Sequence, residues 1–133
     1  MSTEAPTTLP ERDYLQMRLA IAALQLNRGA APSYRVIFRI ALLNDSRVSV
    51  RLHGRKWTLR DRSGATRIIE AERVFNQYPV LMPGCAFSFS GFHDFSQPPS
   101  SVTLRLFGSD QAHSPFITPP LVFDRRCFQM RRS

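Results

Sequence analysis

Residues 34–52 read YRVIFRIALLNDSRVSVRL, and their alternation decides the fold class. Tyr34, Val36, Phe38, Ile40 and Leu42 share one parity, with Arg35 and Arg39 on the other. Successive side chains of a strand point to opposite faces, so this pattern predicts a half-buried strand, apolar inward and polar outward. Asn44-Asp45-Ser46 then interrupts it with residues that favour turns. Alternation resumes with Val48, Val50 and Leu52 on the apolar parity and Arg47, Ser49 and Arg51 on the polar one. Two such strands around a short polar loop predict a β-hairpin.

The same rhythm runs on towards the C-terminus. Trp57 and Leu59 continue the second strand, with the indole expected at the centre of the core. Asp61-Arg62-Ser63-Gly64 supplies a turn, and a β-branched stretch follows from Thr66 to Ile69. Pro83-Gly84 marks another turn, after which Phe87 and Phe89 alternate with Ser88 and Ser90. Beyond a loop at Gln97-Pro98-Pro99-Ser100, Val102, Leu104 and Leu106 alternate with Thr103 and Arg105. Gly108 to Pro115 reads as a loop before a last strand over Phe116 to Phe123. Pro119 and Pro120 cannot donate to a ladder, which confines that strand to an edge or a bulge. Short strands separated by frequent turn signals predict an all-β sandwich or barrel.

Towards the N-terminus the reading divides. Residues 14–26 are rich in Leu, Ala, Met and Gln, with Thr8 and Glu11 imitating a capping box and Gly29 able to close a helix. Yet Met17, Leu19 and Ile21 alternate with Arg18, Ala20 and Ala22. Propensity alone favours a helix there.

The chain has 133 residues, enough for one domain, and a hydrophobic fraction of 43% that fits a globular core. No run approaches the ~20 apolar residues of a membrane span. The polar start from Met1 to Pro10, with Glu4, does not resemble a secretory signal. A cytoplasmic protein with no membrane association is expected. Its organisation reads as a flexible lead over 1–12, a sandwich domain over 13–126 and a C-terminal tail over 127–133. Cys85 and Cys127 have no Cys or His neighbour at metal-ligand spacing, and are expected to be buried thiols, a disulfide between them staying open. The net charge is +8 and almost all basic residues are arginine, Lys56 being the sole lysine. Either general arginine usage or an anionic partner accounts for that.

The order of motifs resembles the ApaG domain family. The matching residues are Tyr34 and Phe38, Asn44 at the turn, Leu52, then Arg55-Lys56-Trp57, Asp61 and Gly64. Pro79-Val80-Leu81-Met82-Pro83-Gly84, Phe87 and Phe89, and Ser90-Gly91 follow, with Phe116 to Phe123 resembling the closing strand. The resemblance covers about residues 15–125 and implies a fibronectin type III- or immunoglobulin-like β-sandwich of two antiparallel sheets. It also implies a strand around Met17 to Ile21, against the local propensity; we favour the strand, with a short helix within residues 9–16 still open. The family's glycine-rich element, suspected of holding a pyrophosphate, aligns here with Ala71, Arg73 and Asn76. Ala71 and Arg73 forfeit the close backbone approach that glycine allows, so that site does not carry over. The resemblance further implies a bacterial domain whose relatives are also appended to eukaryotic F-box and polymerase-associated proteins, where interaction is the role. Any link to the cobalt and magnesium efflux associated with the family would be indirect.

No catalytic constellation stands out. There is no Gly-x-Ser-x-Gly elbow, and His53, His93 and His113 are scattered in or beside expected loops, so neither a catalytic set nor a metal site such as His93, Asp94 and His113 is expected. No cofactor is implied. Arginine is the pattern to explain. In a symmetric hairpin Arg39 would face Arg51 across the outer face, with Arg35 and Arg47 extending the stripe. Like charges directly opposite cost about 0.2–1 kcal/mol, so such a stripe suggests an anionic partner or a merely solvated face. Aromatic residues do not interleave with it, which puts nucleic acid behind protein or a small phosphorylated anion as the partner. Arg55 shares the parity of Trp57 and is expected to form a structural ion pair, with Asp61 or Glu70 as candidates. The expected function is a non-enzymatic module for protein–protein recognition, compatible with a homo-oligomer. The alternative is a sensor of small phosphorylated anions through Arg35, Arg39, Arg47 and Arg51.

Overall fold

The structure is a computed structural model that describes residues 9–72 and 78–131, with side chains as far as Gln129. Its strands are β1 (Leu15–Asn27), β2 (Ser33–Asn44), β3 (Val50–Asp61), β4 (Thr66–Glu72), β5 (Val80–Leu81), β6 (Ala86–Phe95), β7 (Pro99–Asp110), β8 (Pro115–Ile117), β9 (Leu121–Asp124) and β10 (Gln129–Arg131). A 3₁₀ turn, Arg125–Cys127, joins the last two. The strands form two sheets, one ordered β10-β1-β2-β6 and the other β4-β3-β7-β8, with β5 on β3 and β9 on β7. All strand pairs are antiparallel except β1 with β10. No helix among the described residues is long and apolar enough to cross a membrane.

The core lies between the sheets and is the set the alternation picked out: Val36, Phe38, Ile40 and Leu42 from β2 face Leu52, Trp57 and Leu59 from β3 and Val102, Leu104 and Leu106 from β7. Phe38 is its aromatic hub, with ring centroids 4.7 Å from Trp57, 6.5 Å from Phe89 and 6.4 Å from Phe123. Gly91 faces it from β6, where a Cβ would come within 2.9 Å of the Phe38 ring. Truncating a buried aromatic such as Trp57 to alanine costs roughly 3–5 kcal/mol, so this layer dominates stability.

Residues 15–27 are a strand, and no helix precedes it among the described residues: Pro10 to Arg12 run alongside β8, with Arg12 N–H donating to Ile117 O (3.0 Å) and Ile117 N–H to Pro10 O (2.9 Å). Part of the expected lead is therefore tied down. β1 carries a bulge between Leu19 and Ile21. An inserted residue flips the parity beyond it, which is why Leu15, Met17 and Leu19 pack inward while Ile21 turns out to 43% exposure. Hence the simple alternation expected for Met17, Leu19 and Ile21 stops one residue early. The segment expected as a C-terminal tail starts at Cys127, the last residue of the 3₁₀ turn, and then pairs Gln129, Met130 and Arg131 with Ala23, Leu24 and Gln25.

The largest correction concerns residues 44–49. They are not a hairpin loop, because β2 and β3 lie in different sheets. The chain arches across the end of the sandwich, and a buried Asn44 organises the crossing. Its Nδ2 donates to Val48 O (2.7 Å) and Leu81 O (2.8 Å), and its Oδ1 accepts from Ser46 N–H (3.0 Å) and Ser46 Oγ–H (2.7 Å). Asn44 N–H also donates to Cys85 O, and Gly84 N–H to Asn44 O, fastening the Pro83-Gly84 turn to the arch. Gly84 adopts φ +83°, the left-handed conformation this turn needs.

Candidate functional site

The arch separates the expected arginine stripe. Arg39 pairs across its sheet with Ile21 and Ser90, whereas Arg51 pairs with Val80 and Ser109 in the other sheet. Both point outward, from opposite sides of the sandwich. Arg47 lies exposed in the arch itself. Only Arg35 and Arg39 share a face, that of the four-stranded sheet. The Arg39–Arg51 opposition does not exist, and the four residues do not form one site.

Arg35 is also committed. Its Nε and Nη2 grip Asp94 on β6 at 2.8 and 3.1 Å, and its guanidinium lies 3.8 Å from the centroid of the Phe92 ring. The hydrogen bond from Arg35 holds the Asp94 carboxyl below the usual carboxylate range, while the same bond raises the guanidinium. Arg67 on β4 donates to Asp94 O (2.7 Å), bridging the edges of the two sheets.

Beside this pair the outer face of the four-stranded sheet carries a small apolar cluster among polar residues. Ile37 sits between Ala23 on β1 and Phe92 on β6, and the next row is Ile21, Arg39 and Ser90. Phe92 is 52% exposed and Leu43 36%. Phe92 is the residue that reading the arginines overlooked. Its signal was present, since its parity is opposite to that of Phe87 and Phe89 on the same strand.

The three histidines have separate surroundings. His53 Nε2 lies 2.8 Å from Ser109 Oγ on the surface. His113 sits in the β7–β8 turn at φ +62°. His93, expected in a loop, is on β6 and points between the sheets, stacked on Phe38 (5.3 Å) and edge-on to Trp57 (4.5 Å). Burial, then the charges of Arg67 and Arg55, push its pKa down to about 4, against the pull of Asp94. Its Nε2 is buried with no hydrogen-bond partner among the described residues. The described residues hold no cluster of three or more His, Cys, Asp or Glu side chains placed to bind a metal ion.

Cys85 and Cys127 are both free and exposed rather than buried, because each falls in a surface turn, one after Pro83-Gly84 and the other in the 3₁₀ turn. Arg55 keeps the parity of Trp57 and is half-buried. Asp61 spends its carboxylate on its own turn, accepting from Ser63 N–H (2.9 Å), Ser63 Oγ–H (2.5 Å) and Ala65 N–H (3.2 Å). Glu70 stands opposite Lys56. Of the positions aligned with a glycine-rich element, Ala71 lies on β4, opposite Arg55. Arg73 and Asn76 fall outside the described residues.

A family model, the ApaG domain, matches residues 26–103. Protein ApaG of Methylococcus capsulatus is 26% identical over 113 residues, spanning 81% of this chain and 88% of its own length. Protein ApaG of Rhodopseudomonas palustris strain TIE-1 is 32% identical over 88 residues, which make up 66% of this chain and 57% of its own length. Among solved structures, Northeast Structural Genomics Consortium target SoR45 superposes with a TM-score of 0.74 at 13% identity, covering 92% of this chain and 96% of its own. The two-sheet sandwich is thus shared well beyond the reach of sequence similarity, and with the family model spanning more than half of its length this fibronectin type III-like chain belongs to the ApaG domain family.

Proposed function

We propose that this domain is a non-enzymatic recognition module that docks another protein on the outer face of its four-stranded sheet. One observation carries the reading: exposed Ile21 and Phe92 and half-buried Ile37 lie next to one another on this face, beside Arg39 and the Arg35–Asp94 pair. A neighbouring set of exposed apolar side chains rimmed by charge is the composition of a protein interface. Aromatic and arginine side chains supply most of the binding energy in such interfaces, and here they sit together. The excess of positive charge favours a partner that brings carboxylates to the rim.

The test is capture of partners by wild-type domain and by a Phe92→Ala/Arg39→Glu variant, with a Val122→Ser variant of the opposite sheet as control. Loss of the same bound proteins in the first variant only, with its melting temperature kept within about 4 °C, is the expected result. Equal capture by all three would remove this face from consideration.

A further inference from the structure

At the end of the six-stranded sheet remote from the arch, three segments distant in sequence meet around a recess of about 580 Å³. The β3–β4 turn contributes Arg62, the start of β7 contributes Ser100, and the end of β9 with its 3₁₀ turn contributes Asp124, Arg125 and Arg126. The turn is pinned in place, since Arg62 N–H donates to Pro98 O at 2.9 Å.

Charge within the recess is unevenly spent. Asp124 caps the 3₁₀ turn by accepting from Arg126 N–H (2.9 Å) and also takes the Arg126 guanidinium, Nη2 to Oδ2 at 2.9 Å. Those bonds, the side-chain one foremost, hold its carboxyl below the usual range and keep it ionised. The nearby Asp61 is likewise satisfied by its own turn. Arg62 and Arg125 have no carboxylate within 4.0 Å among the described residues. Arg62, Arg125 and Ser100 therefore line a concavity whose acid is already paired with Arg126.

Two forks and a hydroxyl match the three terminal oxygens of a dianionic phosphate, while a planar carboxylate would use one fork. The recess is also several times larger than a phosphate ion, leaving room for the group it is esterified to. We propose that this recess binds the phosphate of a small phosphomonoester, with Arg62 and Arg125 as the forks, Ser100 as the hydroxyl donor and Arg126 holding Asp124 aside. The site is separate from the docking face and does not depend on it. Being open to solvent, it binds less tightly as salt rises.

The experiment is a nuclear magnetic resonance titration of backbone amides and arginine Nε–H groups with glycerol phosphate and, separately, inorganic phosphate, at constant ionic strength maintained with chloride. Saturable shifts at Arg62, Ser100 and Arg125 are expected, with glycerol phosphate binding at least as tightly as inorganic phosphate. An Arg62→Gln/Arg125→Gln variant should bind about tenfold more weakly or worse, as expected when charge-assisted hydrogen bonds are lost, and Arg39→Gln should bind normally. Unchanged circular dichroism of the double variant establishes that it is folded. Shifts that fail to saturate, that persist in the double variant, or that centre on Arg39 would overturn the proposal, as would binding of inorganic phosphate alone.

Discussion

His93 shows how one residue's chemistry follows from the layer it occupies. Alternation along β6 sends it between the sheets, where Phe38 and Trp57 exclude water from its Nε2. Arg67 on β4 and Arg55 on β3 face it with positive charge, and Asp94 opposes them only in part. The folded pKa of about 4 lies below the ordinary 6.5 of the unfolded chain. Above pH 6.5 the imidazole is neutral in both states and stability is indifferent to it. As pH falls from 6.5 towards 4 the unfolded chain takes up a proton that the folded one refuses, so stability falls across that window and levels off below it. Allowing for a partly exposed ring, the loss is about 1–3 kcal/mol. Urea titrations of wild type and His93→Gln at pH 7 and pH 4 should show wild type losing that much more than the variant. Parallel losses would mean that other groups account for the acid sensitivity.

At the scale of elements, the stretch Phe116 to Phe123 shows how a strand accommodates two prolines. β8 and β9 both pair with β7, and the gap between them holds Thr118, Pro119 and Pro120. Neither proline can donate, but Thr118 replaces what the ladder loses. Its N–H donates to Leu106 O (2.9 Å), and its Oγ1 accepts from Leu106 N–H (2.9 Å) with both groups buried. Thr118→Val keeps the shape and leaves the Leu106 N–H buried without an acceptor, so it should cost about 1–3 kcal/mol in equilibrium unfolding. A variant as stable as wild type would show that the backbone finds another acceptor. The edge or bulge expected from the prolines is what the fold contains, since this interrupted strand borders its sheet. β1 was harder to read because its leucines, alanines and glutamines suit a helix; two-sided pairing with β2 and β10 outweighs that preference.

For the whole molecule, the decisive event is the crossing at Asn44. It puts Arg39 and Arg51 on opposite outer faces, too far apart and too well screened to interact. Arg39→Gln and Arg51→Gln should therefore have additive effects on stability, with a coupling below about 0.5 kcal/mol in a double-mutant cycle. Coupling near the 0.2–1 kcal/mol relief of like-charged cross-strand neighbours, at the upper end of that range, would contradict the crossing. The sequence by itself determined the central strands, the inward set from Val36 to Leu106, Trp57 at the centre and the turns at Gly64 and Gly84, because strand parity and turn chemistry are local properties. It could not determine which strands are neighbours. A polar loop that closes a hairpin and one that arches between sheets use the same residues, and the difference lies in the partners that a buried Asn44 finds at Leu81 and Cys85. The bulge in β1, the seating of Phe92 against Arg35 and the sharing of one recess by Arg62 and Arg125 depend in the same way on contacts distant in the chain. Only the tertiary structure decided them.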